Sequence, residues 1–213
     1  MEVYTTVVGF FQSGGVFMYP IMLVLALGLA IAIERHLYLM RQRRINGRTW
    51  GQLQPLLKEQ RFADAAQLAD QSTAPLAQIL AFGLLRADSA AQIAEIETAL
   101  EEGLMEVVPK LEKRTHYLAT FANVATLLGL LGTILGLIQA FTAVAQADPA
   151  QKADLLSSSI SVAMNTTAFG LMVAIPLLLI HSVLQTRTNE LVDYLETVSV
   201  KFLNAVSHRG SRG

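Results

Sequence analysis

The stretch Leu127-Leu-Gly-Leu-Leu-Gly-Thr-Ile-Leu-Gly-Leu-Ile138 lies inside an uncharged run from Thr115 to Ala147, bounded by Arg114 and Asp148. A second uncharged run, Leu155 to Thr186, follows between Asp154 and Arg187. A helix needs about 20 mainly apolar residues to cross a bilayer, and both runs are longer than that. Neither contains Asp, Glu, Lys or Arg, and each holds a single His near one end. Both read as membrane helices, which makes the expected fold an all-α integral membrane protein.

Working outward, Val16 to Ile33 is a third uncharged run, with Pro20 near its start. A signal peptide would carry a basic leading region and a small-residue cleavage site; here Glu34-Arg35-His36 follows the run instead, as interfacial charges, so the run reads as a retained span. Residues 1–13 hold Tyr4, Phe10 and Phe11 with Glu2 as the only charge, a pattern suited to the headgroup level. The expected layout is an interfacial segment at 1–13, a first span within 14–40, a helical loop at 41–114, a second span at 115–147, a short turn at 148–154, a third span at 155–186 and a final helix and tail at 187–213.

The composition agrees: 53% of the 213 residues are apolar, too many for an ordinary soluble domain. A net charge of −1 gives no footprint for nucleic acid, and the absence of Cys excludes disulfides, thiolate nucleophiles and Cys-based metal sites. Arg41, Arg43, Arg44 and Arg48 crowd the exit of the first span, and Lys110, Lys113 and Arg114 guard the entry to the second. The positive-inside rule then makes the long loop and the C-terminus cytoplasmic, with the N-terminus and the short turn outside.

The loop itself reads as helices that extend the spans into a cytoplasmic bundle. Arg61 to Asp70 is Ala-rich, Ser72-Thr73 with Pro75 marks a stop and a new start, and Ser89-Ala-Ala-Gln92 has capping-box form. From Ile93 to Leu111 apolar residues recur at helical spacing, predicting one rod that runs past Pro109 straight into the second span. Glu95, Glu97, Glu101, Glu102 and Glu106 form its solvated face. Asp148-Pro-Ala-Gln151 is expected to open the outer turn, with Asp148 as an N-cap acid and Pro149 at the first helical position. Beyond Arg187, Leu191, Leu195, Val198 and Phe202 predict a final amphipathic helix packed on the cytoplasmic helices, followed by a loose tail at 207–213.

Polar residues inside the spans carry the functional information. In the second span Asn123, Thr126 and Thr133 fall at spacings of three and seven, with Ala119, Leu130, Leu137 and Ala140 completing one face. Gly129, Gly132 and Gly136 include the small-residue spacing that lets helix backbones approach. The third span opens with Ser157, Ser158, Ser159 and Ser161, continues through Asn165, Thr166 and Thr167, and then reaches Gly170. Such residues face other helices or water rather than lipid. Ordinary helix packing accounts for any one of them; two adjacent polar faces point to a partner or a wet cavity.

Leu-Leu-Gly-Thr-x-x-Gly at 130–136, followed by Thr167-Ala-Phe-Gly-Leu-Met-Val-Ala-Ile-Pro176, resembles the paired signature of the MotA/TolQ/ExbB proton-channel family. Gly15-Val-Phe-Met-Tyr-Pro20 and Glu34-Arg35 are similar to the TolQ/ExbB branch. The resemblance implies a ring, typically a pentamer, around the single span of an ExbD-like partner that supplies an essential Asp, coupled to a TonB-like protein in an inner membrane. It also implies that Thr133 and Thr167 face that Asp, and it calls for no cofactor. The chain departs from the ExbB and TolQ pattern at Val162, where those branches carry Glu, and so resembles the flagellar-stator branch there.

Proton movement needs a titratable group within the membrane, and no span offers one at its middle; His116 and His181 sit near span ends as interfacial groups. The acid is therefore expected from another chain. Hydroxyls at Thr133 and Thr167 suit it, since they donate to a carboxylate and accept from a carboxylic acid. Thr166, Asn165, Thr126, Asn123 and Ser161 join them as candidate path-lining residues, with Gly129, Gly132, Gly136 and Gly170 as packing residues. A passive channel subunit and a structural membrane scaffold are the alternatives. No nucleophile–base set, metal cluster or phosphate loop supports an enzyme.

Overall fold

A computed structural model describes residues 14–87 and 92–210, with side chains to residue 207. The expected interfacial segment 1–13, the Ser89–Gln92 capping box and the last three residues fall wholly or largely outside it. The described residues form helices without strands: α1 Met18–Lys58, α2 Phe62–Asp70, α3 Pro75–Ala87, α4 Ile93–Glu112, α5 His116–Gln146 and α6 Lys152–Gly210. Three candidate spans, carried on α1, α5 and α6, are long and apolar enough to cross a membrane.

Four boundaries differ from those read in the sequence. First, α1 does not stop at the arginine cluster but continues through it; Arg, Gln and Leu are good helix formers, so a change of solvent need not end a helix. It stops where Gln60 takes φ 59°, the left-handed conformation that closes helices. Second, α4 does not run into α5. The interruption lies at Lys113–Thr115, where Arg114 has φ 70°, and Pro109 stays inside α4.

Third, Asp148-Pro149 caps no helix. Gln151 N–H donates to Asp148 O at 2.9 Å, so the four residues make a turn, with Asp and Pro in the first two positions that turns favour. Fourth, the third span and the amphipathic C-terminal segment are one helix, α6, which passes through Pro176 and on to Gly210.

The chain divides into two compact units. The first comprises Met1–Ile33 with Arg114–Val183. Its contacts run along small residues: Ala122, Ala125, Gly129, Gly132 and Ala140 are the buried positions of α5 past Leu118. Opposite them on α6, Ala163, Phe169, Gly170, Val173, Ala174 and Leu177 are buried. A Cβ on Gly129 would stand 3.2 Å from Thr167 Cα, and one on Gly170 would stand 2.7 Å from Ala125 O. The two backbones are therefore in direct contact there, and only glycine permits it. On the other side, Gly28 of α1 receives Leu177, whose Cδ2 would lie 2.7 Å from a Cβ.

The second unit comprises Glu34–Lys113 with Leu184–Gly213. Leu53, Leu76, Ile79, Leu80, Leu84, Ile96, Leu111 and Phe202 are its fully buried large side chains. Gly83 lets Leu100 and Phe202 pack against the backbone of α3, and Gly103 does the same for Ile79. Buried Asn46 of α1 accepts the Leu76 N–H at 2.9 Å, serving one of the open donors at the start of α3. Arg35, read as an interfacial charge, is 3% exposed. Its guanidinium donates to Leu111 O and lies 4.7 Å over the Tyr38 ring. A cation thus meets the carbonyl end of α4, where the helix dipole favours it.

Candidate functional site

Close approach of α5 and α6 at Gly129 and Gly170 brings two threonines of the first unit together. Thr133 Oγ1 and Thr167 Oγ1 are within hydrogen-bonding distance of each other. Each also reaches across to the other helix's carbonyls: Thr167 Oγ1 donates to Gly129 O at 2.8 Å, and Thr133 Oγ1 lies 3.2 Å from Ala163 O. Gly129 is four residues before Thr133 and Ala163 four before Thr167. Each threonine can therefore bond the carbonyl that the other would use for ordinary back-bonding within its own helix.

The hydroxyl protons have a consistent order. A threonine has one O–H donor and two acceptor lone pairs. If Thr167 donates to Gly129 O, its oxygen accepts from Thr133, and Thr133 keeps lone pairs free. The pair then presents an acceptor. Turning the Thr133 O–H away from Thr167 presents a donor at the same place. Both hydroxyls are only partly buried, so an incoming group can meet either form.

Thr166, one residue away, has a different task. It is 2% exposed, and its hydroxyl contacts Gly14 O and lies 3.0 Å from Val162 O. The turn before α1 is thereby tied to the apolar segment of α6. Gly15 has φ +72°, and a Cβ there would meet Val162 Cγ1 at 3.3 Å. A Cβ on Gly132 would meet Thr166 Cγ2 at 2.5 Å and Phe17 Cβ at 3.3 Å. Gly136 faces Ala163, whose Cβ would be 3.0 Å from its own. All four glycines are engaged between elements of this chain.

The remaining candidates lie elsewhere. Thr126 bonds its own helix at Ala122 O, 3.1 Å away. Asn123, Thr126 and Ser161 are exposed on the protomer, and Asn165 is half-buried. Successive residues on a helix turn by ~100°, so Asn165, two before Thr167, lies well around α6 from it. Among the seven polar candidates the structure brings Thr133 and Thr167 together, with Thr166 beside them on α6, while Thr126, two turns before Thr133, shares its side of α5. The stripe through Asn123, Thr126 and Thr133 meets the α5–α6 contact face at Thr133 and is exposed on the protomer at Asn123 and Thr126. Small residues at three- and four-residue spacing, Ala122, Ala125, Gly129 and Gly132, mark that face, and they were a usable signal. The Thr166–Gly14 link had none, being 152 positions apart.

No Asp, Glu, Lys or Arg occurs in the uncharged runs of α5 and α6. Among the described residues no cluster of His, Asp or Glu could hold a metal ion. The site can exchange hydrogen bonds with a carboxyl group; it cannot itself carry charge.

The sequence profile of the MotA/TolQ/ExbB proton channel family matches residues 71–197. The chain is 29% identical over 195 residues to the biopolymer transport protein ExbB homolog of Methanothermobacter thermautotrophicus, covering 91% of this chain and 68% of that one. It is 32% identical over 201 residues to the ExbB-like 1 protein of Synechocystis, covering 88% and 74%. To the Tol-Pal system protein TolQ of Haemophilus influenzae it is 34% identical over 91 residues, 43% of this chain and 40% of that one. Three apolar helices, a hydroxyl pair at the α5–α6 contact and these relatives agree: the chain is a multi-pass membrane protein of the MotA/TolQ/ExbB proton channel family, in its ExbB/TolQ branch, and not an enzyme.

Proposed function

We propose that this protein is the channel and motor subunit of an ExbB–ExbD-like complex in a bacterial inner membrane, coupling proton flow to work on a TonB-like envelope partner. The observation that carries this reading is the reciprocal Thr133–Thr167 hydroxyl pair, set in spans that hold no acid. A proton carrier at that place must come from another chain, and a single-span partner with one intramembrane Asp supplies it. The pair accepts from the protonated acid and donates to the carboxylate, so the carboxyl keeps a partner through its cycle.

A ring of copies, family-typically a pentamer, accompanies this role. Asn123 is exposed on the protomer, within an apolar helix, and makes no hydrogen bond among the described residues. An amide facing hydrocarbon without a partner costs several kcal/mol, so a neighbouring copy, the partner's span or a wet pore meets it. The test is copurification with the single-span protein followed by native mass spectrometry and proton flux in proteoliposomes. Flux that needs both proteins and the partner's Asp supports the reading. Equal flux from this protein alone supports a passive channel, and no flux with no partner leaves a scaffold.

A further inference from the structure

Within the second unit, a cleft of 570 Å³ lies along α1 and α6, immediately past the end of the apolar segment of α6. Its lining combines apolar Leu39 and Met40 with Arg43, Arg187, Tyr194 and Gly47. The size is that of a small-molecule site, and the chemistry is amphipathic. Arg187 is the first charge after the uncharged run, so on α6 the cleft begins at the residue that ends that run.

The charges are underused. Among the described residues Arg43 pairs with Glu190, at 3.6 Å, and those side chains are 79% and 57% exposed; such pairs contribute little. Arg187 has no ion-pair or hydrogen-bond partner among the described residues. Two guanidiniums against the Glu190 carboxylate leave the lining positive, with Arg41, Arg44 and Arg48 nearby on the chain. The Tyr194 phenol offers a neutral O–H donor, and burial pushes its pKa further up from the ordinary range.

Gly47, in the lining, carries no side chain. It lies inside α1, where glycine is disfavoured, yet a Cβ built on it meets nothing within 4 Å. Nothing in the chain requires a glycine there. At Gly129 and Gly170, by contrast, neighbouring backbone demands one.

We infer that this cleft binds the phosphate group of an anionic glycerophospholipid from the leaflet on the arginine-rich side. Arg43 and Arg187 hold the phosphate oxygens, which guanidinium forks match in shape and charge, and Tyr194 donates to the same head group. Glu190 is displaced from Arg43, the open backbone at Gly47 gives the head group room, and an acyl chain follows Leu39 and Met40.

The test uses the full chain purified in mild detergent, loaded with phosphatidylglycerol or phosphatidylcholine at equal mole fraction. Retained lipid is counted by native mass spectrometry. The wild type should keep phosphatidylglycerol roughly tenfold better than phosphatidylcholine, and millimolar inorganic phosphate should not displace it. The double variant Arg43→Gln/Arg187→Gln removes the charge, and Gly47→Leu fills the cleft from an open position; each should abolish the preference. Unchanged retention in both variants would overturn the lipid site. Displacement by inorganic phosphate would make it a small-anion site instead. If Gly47→Leu changed the oligomeric state and left lipid retention intact, a second copy of this chain would be the occupant.

Discussion

At the residue scale the Thr133–Thr167 pair separates chemistry from packing. Thr133→Val and Thr167→Val keep the β-branched shape and remove one hydroxyl each. A buried carboxyl left short of a partner is penalised by roughly 1–3 kcal/mol, while a proton crossing 100 mV releases about 2.3 kcal/mol. The penalty is as large as the driving force. Both variants should therefore copurify with the partner at wild-type level and lose most proton-motive-force-dependent activity in cells; wild-type activity in both would refute the assignment. Val162→Ala should be nearly silent in the same assay. Thr166→Val should behave differently, because that hydroxyl ties Gly14 to α6: it should lower thermal stability in detergent as well as activity. A loss of activity without a loss of stability at Thr166 would place it in the proton path rather than in the buttress.

At the scale of elements, apolar run length made the spans legible, and the two threonines were legible through motif resemblance. Boundaries were less so, for a physical reason. Charge marks where a helix leaves the membrane, but it does not end the helix, so α1 and α6 pass through Arg41–Arg48 and Arg187 without a break. Their ends are set by backbone conformation at Gln60 and by the turn at Asp148–Gln151, where side-chain identity gives weak signals. The buried face of α5 follows its small residues. In lipid, helices associate through close packing of small residues, and the α5 contact face follows Ala and Gly while Asn123 and Thr126 stay outside it.

Glycines make that lesson testable. Gly170→Ala would set its Cβ 2.7 Å from Ala125 O, and backbone cannot yield as a side chain can, so a loss of about 1–3 kcal/mol is expected. Gly51, exposed inside α1 with nothing within 4 Å of a built Cβ, should respond in the opposite sense: Gly51→Ala should stabilise by roughly 0.5–1 kcal/mol. Melting of the two variants in one detergent checks the signs, and equal shifts would show that the close α5–α6 contact is not what Gly170 serves.

For the whole molecule, orientation decides which way a proton gradient drives the site. Arginines and lysines gather at one end of all three apolar segments: Arg41, Arg43, Arg44 and Arg48 after the first, Lys110, Lys113 and Arg114 before the second, Arg187 after the third. The opposite turn holds only Asp148, Lys152 and Asp154. By the positive-inside rule the second unit is expected on the cytoplasmic side and the α5–α6 turn on the opposite side. Absence of native Cys makes each introduced thiol unique, and Ala150 and Gln67 are both exposed on the protomer, so access is limited by the membrane rather than by packing. Ala150→Cys should react with a membrane-impermeant maleimide added to spheroplasts, while Gln67→Cys should react only after permeabilisation. The reverse pattern would invert the protein.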